Sequence, residues 1–338
     1  MRQPRLLACL CVVSLTSFFF RSWSAPAFAV TREVSSPASG AGFGVGSSRA
    51  LRGSSRLHPV SLYAAAVAED FPAEFTMAPN SRKKGILPLL KALLFAGWLF
   101  TTASVLIWAM AAAVPWIRKK DPVRRRYMDR VNTLWAKLTT KPFFNVEVVN
   151  PENLPPDDLP CVYVANHQSF LDIFSMYFLK RPFKWVSKAS ILKIPIIGWA
   201  MGMTGHVALE RDDRRSQLQV MRQCGEKLEK GASMFFFPEG TRTKSGVMGE
   251  FKRGAFSIAA RAKVGIAPVT VLGTGAIMPS GMETCLFPTK AGVKLICHPI
   301  ITAEEVSSKS QQEILAKTRD IIASALPEDL RGEPQPAE

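Results

Sequence analysis

The feature that most constrains this chain is an apolar run, Ala92–Val114, whose twenty-three residues include no charged side chain. A helix rises about 1.5 Å per residue, so the run is long enough to cross a hydrocarbon core of roughly 30 Å. The sequence therefore predicts a membrane segment over 85–117. It is either one spanning helix or a helical hairpin that bends near Gly97 and lies in one leaflet. Pro115 and a basic cluster that begins at Arg118 end the segment.

The positive charge of the chain agrees with a membrane surface. Formal net charge is +16, which suits nucleic acid, anionic lipid or an anionic substrate as partner. The basic residues are not interleaved with the aromatic rings that would stack on bases, so we expect no nucleic-acid partner. More Lys and Arg follow the apolar run than precede it. The positive-inside rule therefore puts the C-terminal part on the cytoplasm-equivalent side.

The first 75 residues have the composition of targeting sequence. Arg2 and Arg5 precede an apolar stretch and then small residues, so residues 1–29 resemble a signal peptide. Residues 30–75 begin with a long stretch rich in Ser, Ala, Gly and Arg, as in a transit peptide. Together they resemble the two-part presequence of algae with secondary plastids. We expect a plastid membrane protein whose C-terminal domain faces the stroma, with the endoplasmic reticulum membrane as the alternative.

Residues 118–326 alternate between strand-like and helix-like patterns, which predicts an α/β domain with a central mixed sheet flanked by helices. A disordered tail is predicted over 327–338. The strand-like runs are Asn145–Val149, Cys161–Ala165, Phe183–Val186, His206–Leu209, Met234–Phe237, Ala267–Leu272 and Val293–Cys297. The helical runs are Arg214–Lys230, Phe256–Lys263 and a last helix from Thr302 to about Leu326.

The first of two chemically informative motifs is Asn166–Asp172, with the sequence NHQSFLD, at the end of a buried strand. A tight turn would bring Asp172 under the ring of His167, where the carboxylate fixes the tautomer. The other ring nitrogen could then take a proton from a hydroxyl. The sequence contains no G-x-S-x-G nucleophile elbow, so that hydroxyl would belong to the substrate. The alternative is a capped helix start in which the histidine is incidental.

The second motif is Phe237–Thr243, with the sequence FPEGTRT, in the exit loop of another buried strand. Gly240 lets the backbone approach an anion, and Arg242 offers two parallel donors to a phosphate. Thr241 adds a hydroxyl donor, and Glu239 could orient the arginine or bind the substrate. The alternative is a plain turn in which the acid and the base form a solvated pair.

In combination these motifs resemble the glycerolipid acyltransferases of the 1-acylglycerol-3-phosphate acyltransferase (PlsC) type, also called lysophosphatidate acyltransferases. The resemblance runs from about residue 143 to 300. The family blocks correspond to Asn166–Asp172, Gly205–Arg211, Phe237–Thr243, Lys252–Phe256 and Ile266–Thr270. The second block departs from the family pattern, because His206 and Ala208 are atypical there.

The resemblance implies a fold, a reaction and a set of site residues. His167 would be the general base and Asp172 its orienting partner. The implied reaction transfers an acyl group from a thioester, acyl-carrier protein or acyl-CoA, to the sn-2 hydroxyl of lysophosphatidate and gives phosphatidate. No cofactor or metal is implied, and the sequence shows no cluster with metal-ligand spacing. The residues implied to hold the glycerol phosphate are Lys188, Arg211, Glu239, Gly240, Thr241 and Arg242.

Other functions remain open at this point. Within the family, the acceptor could be glycerol-3-phosphate or a lysophospholipid with a larger head group. From another class, the chain could be a non-catalytic, membrane-anchored lipid-binding protein. Acyl-carrier protein and acyl-CoA are both open as donors, and a location in the stroma would favour acyl-carrier protein.

Overall fold

The computed structural model describes residues 84–210 and 213–335. The two predicted presequence segments, residues 1–29 and 30–75, lie outside these ranges, as do Arg211 and residues 336–338.

A seven-stranded mixed sheet forms the centre of the described part, as predicted, with the strand order β1-β7-β6-β2-β5-β3-β4. The five strands from β6 to β4 run parallel, whereas β7 is antiparallel to β6 and β1 is parallel to β7. All seven strands lie within two residues of the predicted runs. They are β1 (Val146–Val149), β2 (Cys161–Ala165), β3 (Phe183–Lys188), β4 (Val207–Leu209), β5 (Ser233–Phe236), β6 (Gly265–Leu272) and β7 (Val293–Cys297).

Helices cover both faces of this sheet, which is why the central strands read as continuous apolar runs. Every residue of β2 and β6 is buried. Cys161 and Tyr163 of β2 pack into one core, and Val162 and Val164 pack into the other. The helices are α1 (Ile86–Lys120), α2 (Arg126–Thr140), α3 (Asp172–Met176), α4 (Ile197–Thr204), α5 (Arg214–Glu229), α6 (Gly254–Ala262), α7 (Thr274–Ile277), α8 (Ala303–Ser308) and α9 (Gln311–Ser324).

The apolar run folds as one long helix, α1, which by length and hydropathy alone could cross a membrane. It continues through Gly97 as one helix, which agrees with the single-helix alternative and not with a hairpin bent at that glycine. A hairpin does form, but its second arm is α2. Nε1 of Trp98 donates to the carbonyl of Leu138 at 2.8 Å, and the hydroxyls of Thr102 and Thr139 lie 3.0 Å apart. Because α1 continues past Gly97, Trp98 and Thr102 stay in contact with α2. A bend at the glycine would break these contacts.

The first half of α1 also packs on the α/β domain. The Phe95 ring makes T-shaped contacts with the rings of Phe143 and Phe174, with centroid separations of 5.2 and 5.8 Å. The amide of Leu286 donates to the carbonyl of Pro88 at 3.0 Å. The first half of α1 therefore packs as part of the α/β domain and is not a separate anchor ahead of it.

The C-terminal region differs from the prediction of one long helix. Thr302 caps α8 as expected, with Oγ1 accepting from the amide of Glu305 at 3.3 Å. A second helix, α9, then begins at a capping box. Ser310 Oγ accepts from the amide of Glu313 at 3.2 Å, and the Glu313 carboxylate accepts from the amide of Ser310 at 2.7 Å. Reciprocal capping of this kind satisfies two amides and favours a new helix start over continuation.

The tail also departs from the predicted disorder as far as residue 335. A 3₁₀ turn, Glu328–Leu330, follows α9, and the Leu330 side chain is buried in the core that contains α5, α6 and α9. One apolar residue in a polar tail was too weak a signal to predict this packing.

Candidate active site

The residues predicted to act lie at the carboxyl ends of adjacent strands. β2, β5, β3 and β4 are neighbours and run parallel, so the loops that follow them leave from one edge of the sheet. His167 follows β2, Glu239 follows β5, and Lys188 ends β3. Arg211 follows β4 but lies outside the described residues. The strand order thus brings together two motifs whose contacting residues are 72 positions apart, at the edge where such sheets bind ligands.

His167 and Asp172 form a buried pair at the start of α3. Nδ1 of the imidazole lies 2.7 Å from Oδ2 of the carboxylate. The same oxygen accepts from the amides of Gln168 at 2.7 Å and Ser169 at 2.9 Å. Because these donors fix the carboxylate, it holds the ring in one orientation and one tautomer. The tight turn predicted from the sequence is confirmed.

The ring of His167 also stacks on Phe237, the first residue of the second motif. The two ring centroids are 3.9 Å apart and the planes differ by 10°. Phe237 stacks in turn on Trp185 at 5.4 Å. The histidine is therefore fixed by a carboxylate at its edge and by a ring on its face. The sequence showed Phe237 only as the end of an apolar strand.

Glu239 connects the two motifs through backbone amides. Its Oε1 accepts from the amide of His167 at 2.7 Å, and its Oε2 accepts from the amide of Gly249 at 2.9 Å. Burial raises the pKa of this carboxyl to about 7, although both amides act to lower it. The sequence suggested that Glu239 orients Arg242 or contacts the substrate. In the structure its carboxylate holds the turn that carries the histidine, and substrate contact by Glu239 stays a prediction.

Arg242 is buried against a residue that the sequence did not single out. Its Nη1 lies 3.2 Å from Oε1 of Glu283, and the two side chains are only 4% and 8% exposed. Glu283 also accepts from the amide of Gly281 at 3.0 Å. Nothing in the spacing of these residues signalled the pair. The solvated pair considered as the alternative reading is wrong for this arginine, because it is desolvated.

The other predicted phosphate ligands are distributed unevenly. Gly240 adopts φ +72°, and a Cβ there would lie 2.9 Å from Nζ of Lys252. Both residues, together with Lys188, line the same cavity as His167. Thr241 is exposed and lies outside the wall of that cavity. The sequence indicated Lys252 only as part of a family block. The structure places it in the wall of the cavity that His167 and Lys188 also line.

The cavity has a volume of about 830 Å³ and lies between the sheet edge and helices α1, α2 and α4. Its wall is mostly apolar, and its polar lining residues include His167, Lys188, Arg214 and Lys252. Representative apolar lining residues are Leu106, Ile107, Met110, Phe174, Ile197 and Met201. Its shape and polarity suit a lipid chain with a charged head.

His206, atypical for its family block, contributes a neutral polar group to the cavity wall. Its Nδ1 accepts from the amide of Trp185 at 3.1 Å, and its Nε2 lies 3.3 Å from the hydroxyl of Tyr177. Burial lowers the pKa of this histidine well below its usual value, with nearby cations acting in the same direction. The ring therefore serves as a packed hydrogen-bonding group.

The geometry defines a class of protein. A fixed imidazole beside an apolar, cation-rimmed cavity is suited to deprotonating a hydroxyl of a bound lipid, as a lipid acyltransferase requires. The family model described as Acyltransferase matches residues 145–272. This match contains both motifs and six of the seven strands.

Similar proteins define the family more closely. A 1-acyl-sn-glycerol-3-phosphate acyltransferase of Chlamydomonas reinhardtii is 45% identical over 73% of each chain. A chloroplastic one of Arabidopsis thaliana is 44% identical over 65% of this chain and 62% of its own. The crystal structure of PlsC from Thermotoga maritima matches with a TM-score of 0.58 and 27% identity, over 69% of this chain and 93% of that one. The chain belongs to the PlsC-type glycerolipid acyltransferase family.

Proposed function

We propose that this protein is a 1-acyl-sn-glycerol-3-phosphate acyltransferase, which acylates the sn-2 hydroxyl of lysophosphatidate to give phosphatidate. One observation carries the proposal. His167, whose Nδ1 lies 2.7 Å from Oδ2 of Asp172, lies in the wall of a mostly apolar cavity of about 830 Å³. The names of the relatives at 45% and 44% identity support the same acceptor.

The mechanism is direct transfer between the two substrates. His167 takes the proton of the sn-2 hydroxyl through Nε2, because Nδ1 contacts Asp172. The hydroxyl oxygen bonds to the thioester carbonyl carbon, and the carbon–sulfur bond then breaks. The imidazolium returns its proton to the leaving thiolate, so the products are phosphatidate and a free thiol. Asp172 stabilises the imidazolium, and general-base help of this kind gives about 10²–10⁴-fold in rate. This chemistry needs no metal or redox cofactor.

The acceptor phosphate is held by Lys188, Lys252 and the backbone of Gly240. All three line the cavity with His167; Lys188 ends β3, and Lys252 lies in the loop before α6. Gly240 has the left-handed backbone that lets a chain approach an anion closely. Arg242 lies on the same loop, outside the cavity wall, and pairs with Glu283. Arg211 remains a candidate on the loop after β4.

The acyl chain and the membrane meet at α1. Leu106, Ile107 and Met110 of α1 line the cavity, while Val105 and Trp108 are 67% and 75% exposed. Since α2 pairs along α1 and carries charged residues on its surface, a crossing α1 would draw those charges into hydrocarbon. The α1–α2 hairpin therefore lies in one leaflet, and lipid substrates enter sideways into the cavity.

The enzyme acts at a plastid membrane, with acyl-carrier protein as donor and the catalytic domain on the stromal side. Two relatives at 44% identity, from Arabidopsis thaliana and Brassica napus, carry the word chloroplastic in their names. The basic cluster that begins in the last turn of α1, at Arg118, supports the orientation. A fluorescent fusion of residues 1–75 that stays in the secretory pathway of a secondary-plastid alga would instead favour the endoplasmic reticulum.

An acceptor and donor panel tests this function. Protein lacking residues 1–75, reconstituted in phospholipid vesicles, is given lysophosphatidate, glycerol-3-phosphate or lysophosphatidylcholine with either acyl-carrier protein or acyl-CoA as acyl source. We expect the highest kcat/KM with lysophosphatidate and acyl-carrier protein. A preference for glycerol-3-phosphate or lysophosphatidylcholine would replace the acceptor. No transfer to any acceptor, with lysophosphatidate binding retained, would favour the lipid-binding protein.

A further inference from the structure

The loop between the second motif and α6, residues 243–253, forms no regular secondary structure and depends on a few fixed contacts. Three of them link it to its own neighbourhood. The amide of Gly249 donates to Oε2 of Glu239 at 2.9 Å, and the amide of Lys252 donates to the carbonyl of Pro238 at 2.9 Å. Thr243 Oγ1 donates to the carbonyl of Val247 at 2.6 Å.

Further contacts with the loop come from the C-terminal segment, residues 328–335. The amide of Met248 donates to the carbonyl of Leu330 at 2.9 Å. The Gln335 side chain pairs with both backbone groups of Phe251: its Oε1 accepts from the amide at 2.9 Å, and its Nε2 donates to the carbonyl at 3.0 Å. The segment therefore hydrogen-bonds to the loop at Met248 and Phe251, which lie on either side of Gly249.

The C-terminal segment is itself anchored on α9. Nη2 of Arg319 donates to the carbonyl of Arg331 at 3.1 Å, and Nε of Arg331 donates to the carbonyl of Leu326 at 2.8 Å. Gly332 adopts φ +66°, and a Cβ there would collide with the carbonyl oxygen of Met248. The approach of the segment to the loop is therefore close enough to require glycine at this position.

These contacts form a continuous path to the catalytic histidine. The segment holds the loop, the loop amide of Gly249 holds one oxygen of Glu239, and the other oxygen holds the amide of His167 at 2.7 Å. We propose that the C-terminal segment, residues 328–335, positions His167 for acyl transfer by fixing the loop and, through it, Glu239. This inference rests on the proposed acyltransferase function.

The path predicts an effect on turnover and not on acceptor binding. A histidine displaced by about 1 Å can lose up to about 10²-fold in rate. Lys252 retains its own backbone contact with Pro238, and Lys188 lies on β3, so the cations that hold the phosphate stay in place. Positioning residues of this kind should lower kcat while leaving KM for lysophosphatidate unchanged.

The test uses full-length mature protein in vesicles, with Gly332→Ala and Gln335→Ala as variants. We expect kcat to fall about 10-fold and about 3-fold, with KM for lysophosphatidate unchanged. Gly225→Ala is the matched control, since a Cβ on that α5 glycine meets nothing within 4 Å. Thermal unfolding of each variant shows that it is folded at the assay temperature. If Gly332→Ala does not fold, the kcat of Gln335→Ala alone tests the proposal.

A double-mutant cycle of Gln335→Ala with Glu239→Gln separates positioning from general stability. If the segment acts through Glu239, the second change adds little once the first is made, so the effects on kcat are not additive. Additive effects, or Gln335→Ala and Gly332→Ala variants with the kcat of Gly225→Ala, would overturn the proposal. An inactive wild-type protein would instead overturn the acyltransferase function, so the two failures are distinguishable.

Discussion

The two motifs of the active site are built in different ways. Asn166–Asp172 is assembled locally: the histidine, the carboxylate that orients it and the amides that fix the carboxylate all lie within one turn. Phe237–Thr243 is assembled from a distance, because its acid reaches the first motif and Gly249, and its arginine reaches Glu283. The local motif contains the proposed catalytic pair, whereas the second motif connects parts of the chain that are distant in sequence.

This difference changes what a substitution does. In the local motif, a substitution of His167 or Asp172 removes a proposed reacting group and leaves the backbone contact between His167 and Glu239 intact. In the second motif, a change leaves a desolvated partner elsewhere in the fold without its counterpart. The local motif is therefore expected to control rate, and the distant contacts of the second motif are expected to control stability and position.

The largest effect expected is in the local motif. His167→Ala should lower kcat by about 10²–10⁴-fold, because the general base is removed. Asp172→Asn should also lose most activity, since the amide cannot stabilise the imidazolium as a carboxylate does. Both are measured as initial rates of phosphatidate formation in vesicles, with circular dichroism to verify the fold. Activity should also fall at low pH as the imidazole becomes protonated.

His298→Ala is the control for this comparison. His298 Nε2 lies 2.8 Å from Oγ1 of Thr270, and burial lowers the pKa of this histidine to about 4. Its replacement should lower the melting temperature while kcat of the folded protein stays within about twofold, because it lies outside the cavity wall. Near wild-type turnover in His167→Ala would mean that the local motif is structural and that direct transfer is wrong.

The intermediate effect is expected at Arg242. Arg242→Ala leaves the carboxylate of Glu283 buried without its cation, which should lower the free energy of unfolding by about 3–5 kcal/mol. Lys252→Ala should leave stability unchanged and raise KM for lysophosphatidate about tenfold, the loss of one charged hydrogen bond. Denaturant unfolding and steady-state kinetics measure the two quantities. Arg242→Lys decides between the structure and the sequence: a raised KM with unchanged stability would return Arg242 to the phosphate site.

The smallest effect is a difference in pH dependence caused by Glu239. Burial raises the pKa of this carboxyl from 4.5 to about 7. Between these values the folded state binds more protons than the unfolded state, so this group makes stability fall as pH rises. The wild-type minus Glu239→Gln difference in unfolding free energy should therefore decline by about 3 kcal/mol between pH 4.5 and 7. Chemical denaturation at several pH values measures it, and a flat difference would contradict the assigned burial.

Taking the difference is necessary because other buried groups titrate in the same range. Burial raises the pKa of Asp129 to about 7, with Lys184 opposing it, and this adds a slope of the same sign. Burial lowers the pKa of His298 to about 4, which makes stability rise with pH up to the unfolded value. His206 acts in the same direction. The Glu239→Gln comparison cancels these contributions.

The sequence predicted well wherever the relevant signal is local. Continuous apolar runs gave all seven strands, and the helical pattern over Arg214–Lys230 gave α5 to within one residue. The turn that joins His167 to Asp172 was predicted because its parts lie five residues apart. The sequence missed the capping box at Ser310, since serine is common in loops as well as at helix starts. It also left open a hairpin within the apolar run, which instead forms one helix with α2 as the second arm of a hairpin.

What the sequence by itself determined was the pairing of His167 with Asp172, the mixed α/β class and the apolar helix, because each is encoded in neighbouring residues. What only the tertiary structure decided was the set of partners. Whether Arg242 faces a phosphate or Glu283, and whether Glu239 binds a substrate or holds the amide of His167, depends on which strand ends and loops meet. A parallel sheet brings residues that are far apart in sequence together at one edge. The spacing of those residues along the chain does not predict which of them will meet.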